Sequence, residues 1–506
     1  MLFSFNRWRV VGLVVAVACW VGGPGASAQT RLGTPFTDHM VFQADAPVRV
    51  WGWDQPGASV TVQLGDHSAQ ATADDGGKWL ATLPEIHEVG PYELVVRGSQ
   101  TLTVRDAVAG EVWWCSGQSN MVWPISKSDG RQWVLKQEAN PDIRLMKLPT
   151  RSSETPENEA KTQWQISGPD TLPDFSAVAY FFGRRLSGEL QRPVGLMQGA
   201  WGGSKIRAWV PPAVLEASPH FATLSENRQR QVQRYEEALA QWNANGREGQ
   251  RPPVAGGGPQ HSLSGLANGM THPVLPYAVR GVLWYQGEAD TWEPEMYTDL
   301  FADLVGSWRE GFQDPELPVF FVQLPNFRKT AERWPAFREA QRQLAQSLNR
   351  VDMVVTIDVG DPDDIHPANK KDVGDRLAQL ALAQTYGRDI APGSPRPVRV
   401  AADPKDPGRV LVTFDRVAEG LATATPDQPV LGFEIVGQDG EAQPVTDARI
   451  VGPETVALVV DAESPPAEVR YAFEPDPKVN LVNSKQYPAT PFAMSLQASG
   501  SAGEPQ

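Results

Sequence analysis

Two cysteines in 506 residues leave this chain almost no thiol chemistry. Cys19 falls in an N-terminal apolar segment, so a processed chain keeps Cys115 alone, and one thiol forms no internal disulfide. Metal sites built on several thiolates are excluded with it. Histidine is equally sparse: seven residues, dispersed, with no HExxH run, which argues against catalytic zinc. Positive charge is short as well, 45 Lys and Arg against 60 Asp and Glu, for a net charge of −15. That acidity speaks against nucleic acid or an anionic membrane as partner. It also repels a strongly anionic substrate unless a local basic patch compensates. Long apolar runs are missing too, since nothing after the N-terminus offers the ~18 uninterrupted apolar residues of a membrane span.

The N-terminus itself has the pattern of a secretory signal over residues 1–28. Arg7 and Arg9 precede the apolar run Val10 to Val21, followed by Ala26-Ser27-Ala28. Cleavage there leaves Gln29 first and predicts an exported protein, periplasmic or extracellular. Hydrophobic content of 41% is that of a folded chain, and the length calls for two or three domains. Seventeen Trp exceed what packing requires, so some rings are candidates for stacking on sugar, although any single one is better read as core.

Residues 29–106 read as a small β domain, with strands at Val48 to Trp53, Ser59 to Leu64, Tyr92 to Arg97 and Leu102 to Val104 between Gly, Pro and Asp turns. From residue 107 strands alternate with helices. Strands are expected at Glu111 to Cys115, Val194 to Met197, Ala278 to Tyr285, Val319 to Leu324 and Val354 to Ile357. Helices are expected at Phe175 to Leu190, Met296 to Phe312, Ala336 to Leu348 and Lys371 to Tyr386. This succession implies a mostly parallel α/β sheet, whose ligands bind beyond the carboxyl ends of its strands. A charged helix, Glu226 to Asn243, and a Gly/Pro-rich stretch form an insertion at about 212–264. After 390 strand signals return, so a second β domain spans 391–497 and a disordered tail 498–506.

Four turns at strand ends carry polar groups suited to chemistry. In Gly117-Gln118-Ser119-Asn120 a tight turn exposes a hydroxyl and leaves backbone N–H groups free to bind an oxyanion. It is not the Gly-x-Ser-x-Gly elbow, because Met121 replaces the second Gly. A serine nucleophile needs a base, and His366 follows the last strand of the parallel sheet. Asp361, Asp363 and Asp364 are all close enough in sequence to orient its imidazole. Gly203, in Gly202-Gly203-Ser204, offers another backbone N–H, and Gln286, in Gln286-Gly287-Glu288, an amide donor. Taken singly each is a plain turn or a polar tie between loops; their shared position at strand ends argues for one site.

Together these blocks resemble the SGNH hydrolase superfamily, and within it the sialate O-acetylesterase type. The resemblance runs through Gly110 to Met121, Trp201-Gly202-Gly203-Ser204 with Trp209, Trp284 to Glu288, and Asp364-Ile365-His366-Pro367 with Lys370, covering nearly the whole processed chain. It implies a three-layer α/β/α, flavodoxin-like hydrolase domain at 107–390 with flanking all-β, sandwich-like domains. It further implies Ser119 as nucleophile, His366 as base, and no metal or organic cofactor. Similarity also extends to Asn268-Gly269-Met270 before His272-Pro273, a stretch expected to shape the pocket. One block departs: the superfamily places an oxyanion-binding Asn where this chain has Asp290, whose carboxylate would repel the oxyanion. The resemblance therefore assigns the oxyanion hole to Ser119, Gly203 and Gln286 and leaves Asp290 without a role. The superfamily's usual Asp-x-x-His spacing selects Asp363 as the orienting carboxylate, with Asp364 the alternative because the closer resemblance runs through Asp364-Ile365-His366-Pro367. The activity implied is removal of O-acetyl groups from carbohydrate, either acetylated sialic acid or plant polysaccharide such as xylan or xyloglucan. A carbohydrate-binding protein with a degenerate hydrolase core is the alternative.

Overall fold

The computed structural model describes residues 29–497 apart from 138, 331, 332 and 427. The expected signal over 1–28 and the tail over 498–506 lie outside the described residues. At the centre is a sheet of strands β1 (Thr101–Gly117), β2 (Asn140–Lys147), β3 (Trp164–Ser167), β4 (Val194–Ala200), β5 (Gly281–Tyr285), β6 (Val319–Val322) and β7 (Val351–Val354). Their order is β3-β2-β4-β1-β5-β6-β7. All neighbours are parallel except β3 with β2. The chain leaves β1 toward one edge, returns in β4, and continues on the other flank from β5. β1 is therefore where strand order reverses, and a crevice opens beyond its carboxyl end.

Alternating side chains of these strands feed two cores. Trp113 and Cys115 of β1, Leu196, Leu283, Tyr285 and Phe320 point to one face, packed with α2 (Ala177–Leu190) and α6 (Lys371–Gln384). Trp114, Met197, Val282, Trp284, Val319 and Phe321 point to the other, packed with α4 (Pro294–Gly311) and α5 (Arg333–Ser347). Burying one such large apolar side chain is worth roughly 1.5–3 kcal/mol, so the alternation fixes which face each strand residue takes. Helix starts follow local chemistry. The Ser176 hydroxyl accepts from the Ala179 N–H at the start of α2, and Pro294 opens α4. The insertion contributes α3 (Phe221–Ala244), of which Leu224 alone is buried, in keeping with a charged, solvated helix.

The expected strands Leu102 to Val104 and Glu111 to Cys115 are one strand, β1, which crosses residue 106 without a break. The expected domain boundary at 106 falls inside it, because the acidic Asp106 interrupts the apolar pattern. Asp106 sits at φ +55 within β1, its carboxylate held by Arg144 at 3.2 Å and His39 at 2.7 Å. The N-terminal strands join this sheet through β1, Val41–Gln43 in parallel and Tyr92–Arg97 antiparallel. Beyond 390, paired strands are antiparallel in two four-stranded sheets and a two-stranded one. They are tied to the centre by the Arg416–Asp352 ion pair at 2.6 Å and the Asn326–Asp476 hydrogen bond at 2.9 Å. Among the described residues no helix is long and apolar enough to cross a membrane. The Trp residues are chiefly core: Trp51, Trp79, Trp113, Trp114, Trp164, Trp209, Trp284, Trp308 and Trp334 are fully buried, whereas Trp292 is 71% exposed.

Candidate active site

The crevice beyond β1 is built from four turns. Gly117 ends the strand at φ +138, and a β-carbon there would come within 2.2 Å of the Tyr285 carbonyl oxygen, so no larger residue fits. The following residues turn at once into α1 (Ser119–Val122), which lifts Ser119 out of the sheet edge. Ser119 and His366 are both half-buried, and His366 Nε2 lies 2.8 Å from Ser119 Oγ. The imidazole stacks on Trp123, with ring centroids 5.4 Å apart and planes 12° from parallel. Burial draws the pKa of His366 below its usual value, and Lys370 and Lys127 act in the same direction against Asp364. A neutral imidazole is the form that accepts a hydroxyl proton.

Two expected residues stand elsewhere. Asp363 does not approach His366: its carboxylate forms a two-pronged ion pair with Arg328, whose Nε is 3.0 Å from Oδ1, and its carbonyl accepts from Lys329. Guanidinium and carboxylate match as forks, and that match turns Asp363 away from the imidazole. Asp364 is the carboxylate on the histidine side, with Oδ1 accepting the His366 backbone N–H at 2.9 Å and lying 3.8 Å from Nδ1. Gln286 also departs from its expected place in the oxyanion hole. Its Nε2 donates to the Ser204 carbonyl at 3.1 Å and to Asp290 Oδ2 at 2.5 Å, which uses both amide hydrogens. Asp290 thereby acquires a role. It also accepts the Ile206 N–H at 2.9 Å, clamping the segment after Gly203 to the Gln286 turn.

Gly203 sits at φ +71, and its N–H and that of Ser119 find no acceptor among the described residues. Gly202 lies against Ser119, a β-carbon built on it falling 3.5 Å from Ser119 Cβ. Asn268 and His272 bond to the chain at Ser153 and Glu157, bracing that loop.

Beneath Ser119 lies a polar hub that periodicity does not reveal. Asn120 Nδ2 donates to Glu288 Oε1 at 2.5 Å and to the Ile365 carbonyl at 3.0 Å, while its Oδ1 accepts from Lys370 Nζ at 2.6 Å. One amide thus joins the serine turn, the Gln-Gly-Glu turn and the histidine loop. Lys370 is buried and Glu288 half-buried; desolvation pushes the Glu288 carboxyl up and pulls Lys370 down to about 7. Trp123 was missed as well, because a Trp after an apolar turn reads as core. Lys370, four residues beyond His366 and entering α6, was the available signal.

Known proteins similar to this chain in sequence and fold are carbohydrate esterases. The family described as carbohydrate esterase, sialic acid-specific acetylesterase, matches residues 262–383. The mouse sialate O-acetylesterase is 28% identical over 456 residues, covering 80% of this chain and 83% of that protein. The human sialate O-acetylesterase is 28% identical over 75% of each chain. A crystal structure of a carbohydrate acetylesterase from Xanthomonas citri superimposes with a TM-score of 0.79 at 31% identity, covering 92% of this chain and 99% of that one. The chain belongs to the sialate O-acetylesterase-type carbohydrate acetylesterases and is a carboxylic ester hydrolase.

Proposed function

We propose that the enzyme removes O-acetyl groups from carbohydrate through an acyl-enzyme on Ser119. The observation that carries this reading is the 2.8 Å approach of His366 Nε2 to Ser119 Oγ at the strand-order reversal. His366 accepts the hydroxyl proton as Oγ attacks the acetyl carbonyl carbon, and the carbonyl electrons become an oxyanion. The backbone N–H groups of Ser119 and Gly203 hold that oxyanion. Collapse expels the sugar oxygen, which takes the proton from His366; water then attacks the acetyl-enzyme by the same route and releases acetate. Asp364 steadies the imidazolium through its charge. Every step is carried by groups of the chain itself, and intact Ser119 and His366 speak against a binding protein with a degenerate core. Ser119→Ala should abolish release of p-nitrophenol from its acetate with the fold retained, and unchanged turnover would overturn the reading.

The same reading divides the chain into a signal peptide at 1–28, a β domain at 29–106, an SGNH-type three-layer hydrolase domain at 107–390 and a β domain at 391–497. The two helix-packed faces of the central sheet support the three-layer arrangement. Acetylated sialic acid and acetylated plant polysaccharide are the candidate substrates, separated by comparing acetate release from each.

A further inference from the structure

The imidazole of His366 has a close partner on one nitrogen and none on the other. Nε2 lies 2.8 Å from Ser119 Oγ. Nδ1 has no acceptor within hydrogen-bond distance among the described residues, because Asp364 Oδ1 stands 3.8 Å from it and is engaged instead by the His366 backbone N–H at 2.9 Å. A histidine ring has a broad, roughly two-fold torsion about its Cβ–Cγ bond, so one contact at Nε2 leaves the ring plane unfixed. Proton transfer from Ser119 needs that plane fixed, since a hydrogen bond weakens steeply as it bends.

Trp123 is what lies against the ring. The two planes are 12° from parallel with centroids 5.4 Å apart, an offset stack. Local chain geometry produces it. Ser119 opens α1 and Trp123 caps it, four residues apart, the spacing that puts two side chains on one side of a helical turn. Hydroxyl and indole thus belong to a single turn, and the imidazole, arriving on the loop before α6, meets both. That turn is anchored in its own right: the Trp123 carbonyl accepts the Ala177 N–H at 2.9 Å, and the Ile125 N–H reaches the Phe175 carbonyl at 3.0 Å, tying it to the start of α2. The charged groups acting on His366 are Asp364 from its own loop, Lys370 from the entry to α6 and Lys127 from beyond α1. Both lysines also approach the indole, their Nζ atoms 5.7 and 5.9 Å from its centroid, as expected of a ring whose face attracts cations. Two cations therefore oppose the charge that His366 takes up on accepting the Ser119 proton. Asp364 and the indole face favour it.

We propose that Trp123 is a positioning residue for His366: its indole fixes the plane of the imidazole toward Ser119, and its π face stabilises the imidazolium formed as the serine attacks. The inference rests on Ser119 and His366 being nucleophile and base. Two variants separate the ring face from mere cover, since Trp123→Phe keeps a stacking face and Trp123→Leu keeps only apolar bulk. On p-nitrophenyl acetate, Trp123→Leu should lose at least about tenfold in kcat with KM within about twofold, and Trp123→Phe should recover most of that loss. No loss in Trp123→Leu, or an equal loss in both variants, overturns the proposal. The pH profile adds a readout that space-filling would not move: without the ring face the acid limb of kcat/KM should shift to lower pH by about half a unit in Trp123→Leu, because the imidazolium has lost a favourable partner. A limb that stays or rises overturns the proposal. The same titration is read without turnover from the pH dependence of diethyl pyrocarbonate modification at His366, located by peptide mass spectrometry. If Ser119→Ala hydrolyses p-nitrophenyl acetate like the wild type, the reaction assigned to Ser119 fails, and the stack is judged on this modification alone; equal midpoints in wild type and Trp123→Leu would sink it.

Discussion

Replacing Asp364 and Asp363 separately by Asn tests the charge arrangement around His366. Asp364 Oδ1 is 3.8 Å from Nδ1, too far for a hydrogen bond, and its side chain is 59% exposed. At about 4 Å two unit charges interact by about 1 kcal/mol in water and about 4 kcal/mol near a protein surface. Exposure puts this pair toward the lower figure, about 1–2 kcal/mol of imidazolium stabilisation, or roughly fivefold to thirtyfold in rate. Asn keeps the oxygen that accepts the His366 N–H, so the loop stays in place while the charge goes. Asp363→Asn disturbs only the solvent-exposed pair with Arg328, and such pairs contribute little. The assay is kcat/KM on p-nitrophenyl acetate across pH. Asp364→Asn should fall within the stated range and Asp363→Asn should stay near wild type. Loss for Asp363→Asn equal to that for Asp364→Asn would refute the reasoning. So would a fall of about 10⁴ for Asp364→Asn, the size expected of a directly hydrogen-bonded triad carboxylate.

Four further outcomes follow from the hub and the clamp. Because His366 must be neutral to act and is held below the usual histidine range, the acid limb of kcat/KM should lie below about pH 6.5; Lys370→Met removes a cation that depresses it and should move the limb upward. Lys370 titrates near 7 when folded and near 10.4 when unfolded, so the folded protein binds fewer protons between those values and gains stability as pH rises through them. The gain is on the order of 5 kcal/mol over the full window; urea unfolding at pH 7 and 9.5 should show it in the wild type and not in Lys370→Met. Asn120→Ala strands Glu288 and Lys370 in the interior and should cost about 3–5 kcal/mol of stability by the same measurement. Gln286→Ala should reduce kcat/KM by less than the roughly 10²-fold that loss of an oxyanion donor brings, since its amide is used on Ser204 and Asp290; a larger fall would restore it to the hole.

Much of the scaffold is legible from periodicity because burial dictates it. Ser59–Leu64 and Tyr92–Arg97 match their expected bounds, and the helices after β3, β5, β6 and β7 fall where apolar spacing puts them. Parallel strands then bring Ser119 and His366 to one edge although 246 residues of chain separate them. What escaped is polar. Strand β2 went unread because Arg144 interrupts it; that arginine is buried, its Nε bonded to the Pro141 carbonyl at 3.0 Å and its charge paired with Asp106. The break read at Asp106 and the strand missed at Arg144 are two ends of one ion pair, and pairing across a sheet leaves no periodic trace.

The same reasoning explains the two reassignments in the site. Sequence shows which polar groups stand near a turn, but a donor serves only one or two acceptors, and the winner depends on partners elsewhere in the chain. Asp363 and Asp364 are neighbours of like chemistry; Arg328, 35 residues away, decides between them by claiming the first. Gln286 illustrates the case more sharply. A carboxylate at Asp290 would repel an oxyanion, and that objection holds at any position facing the reaction. The fold meets it by turning Asp290 onto the Ile206 N–H and the Gln286 amide. The consequence is that Asp290 and a free Gln286 amide are mutually exclusive here: whatever keeps the buried carboxylate satisfied takes the hydrogen that an oxyanion would need. In the proposed mechanism two backbone N–H groups are then left to carry the oxyanion, and the part the contacts leave to Gln286 is to hold the segment after Gly203 in place.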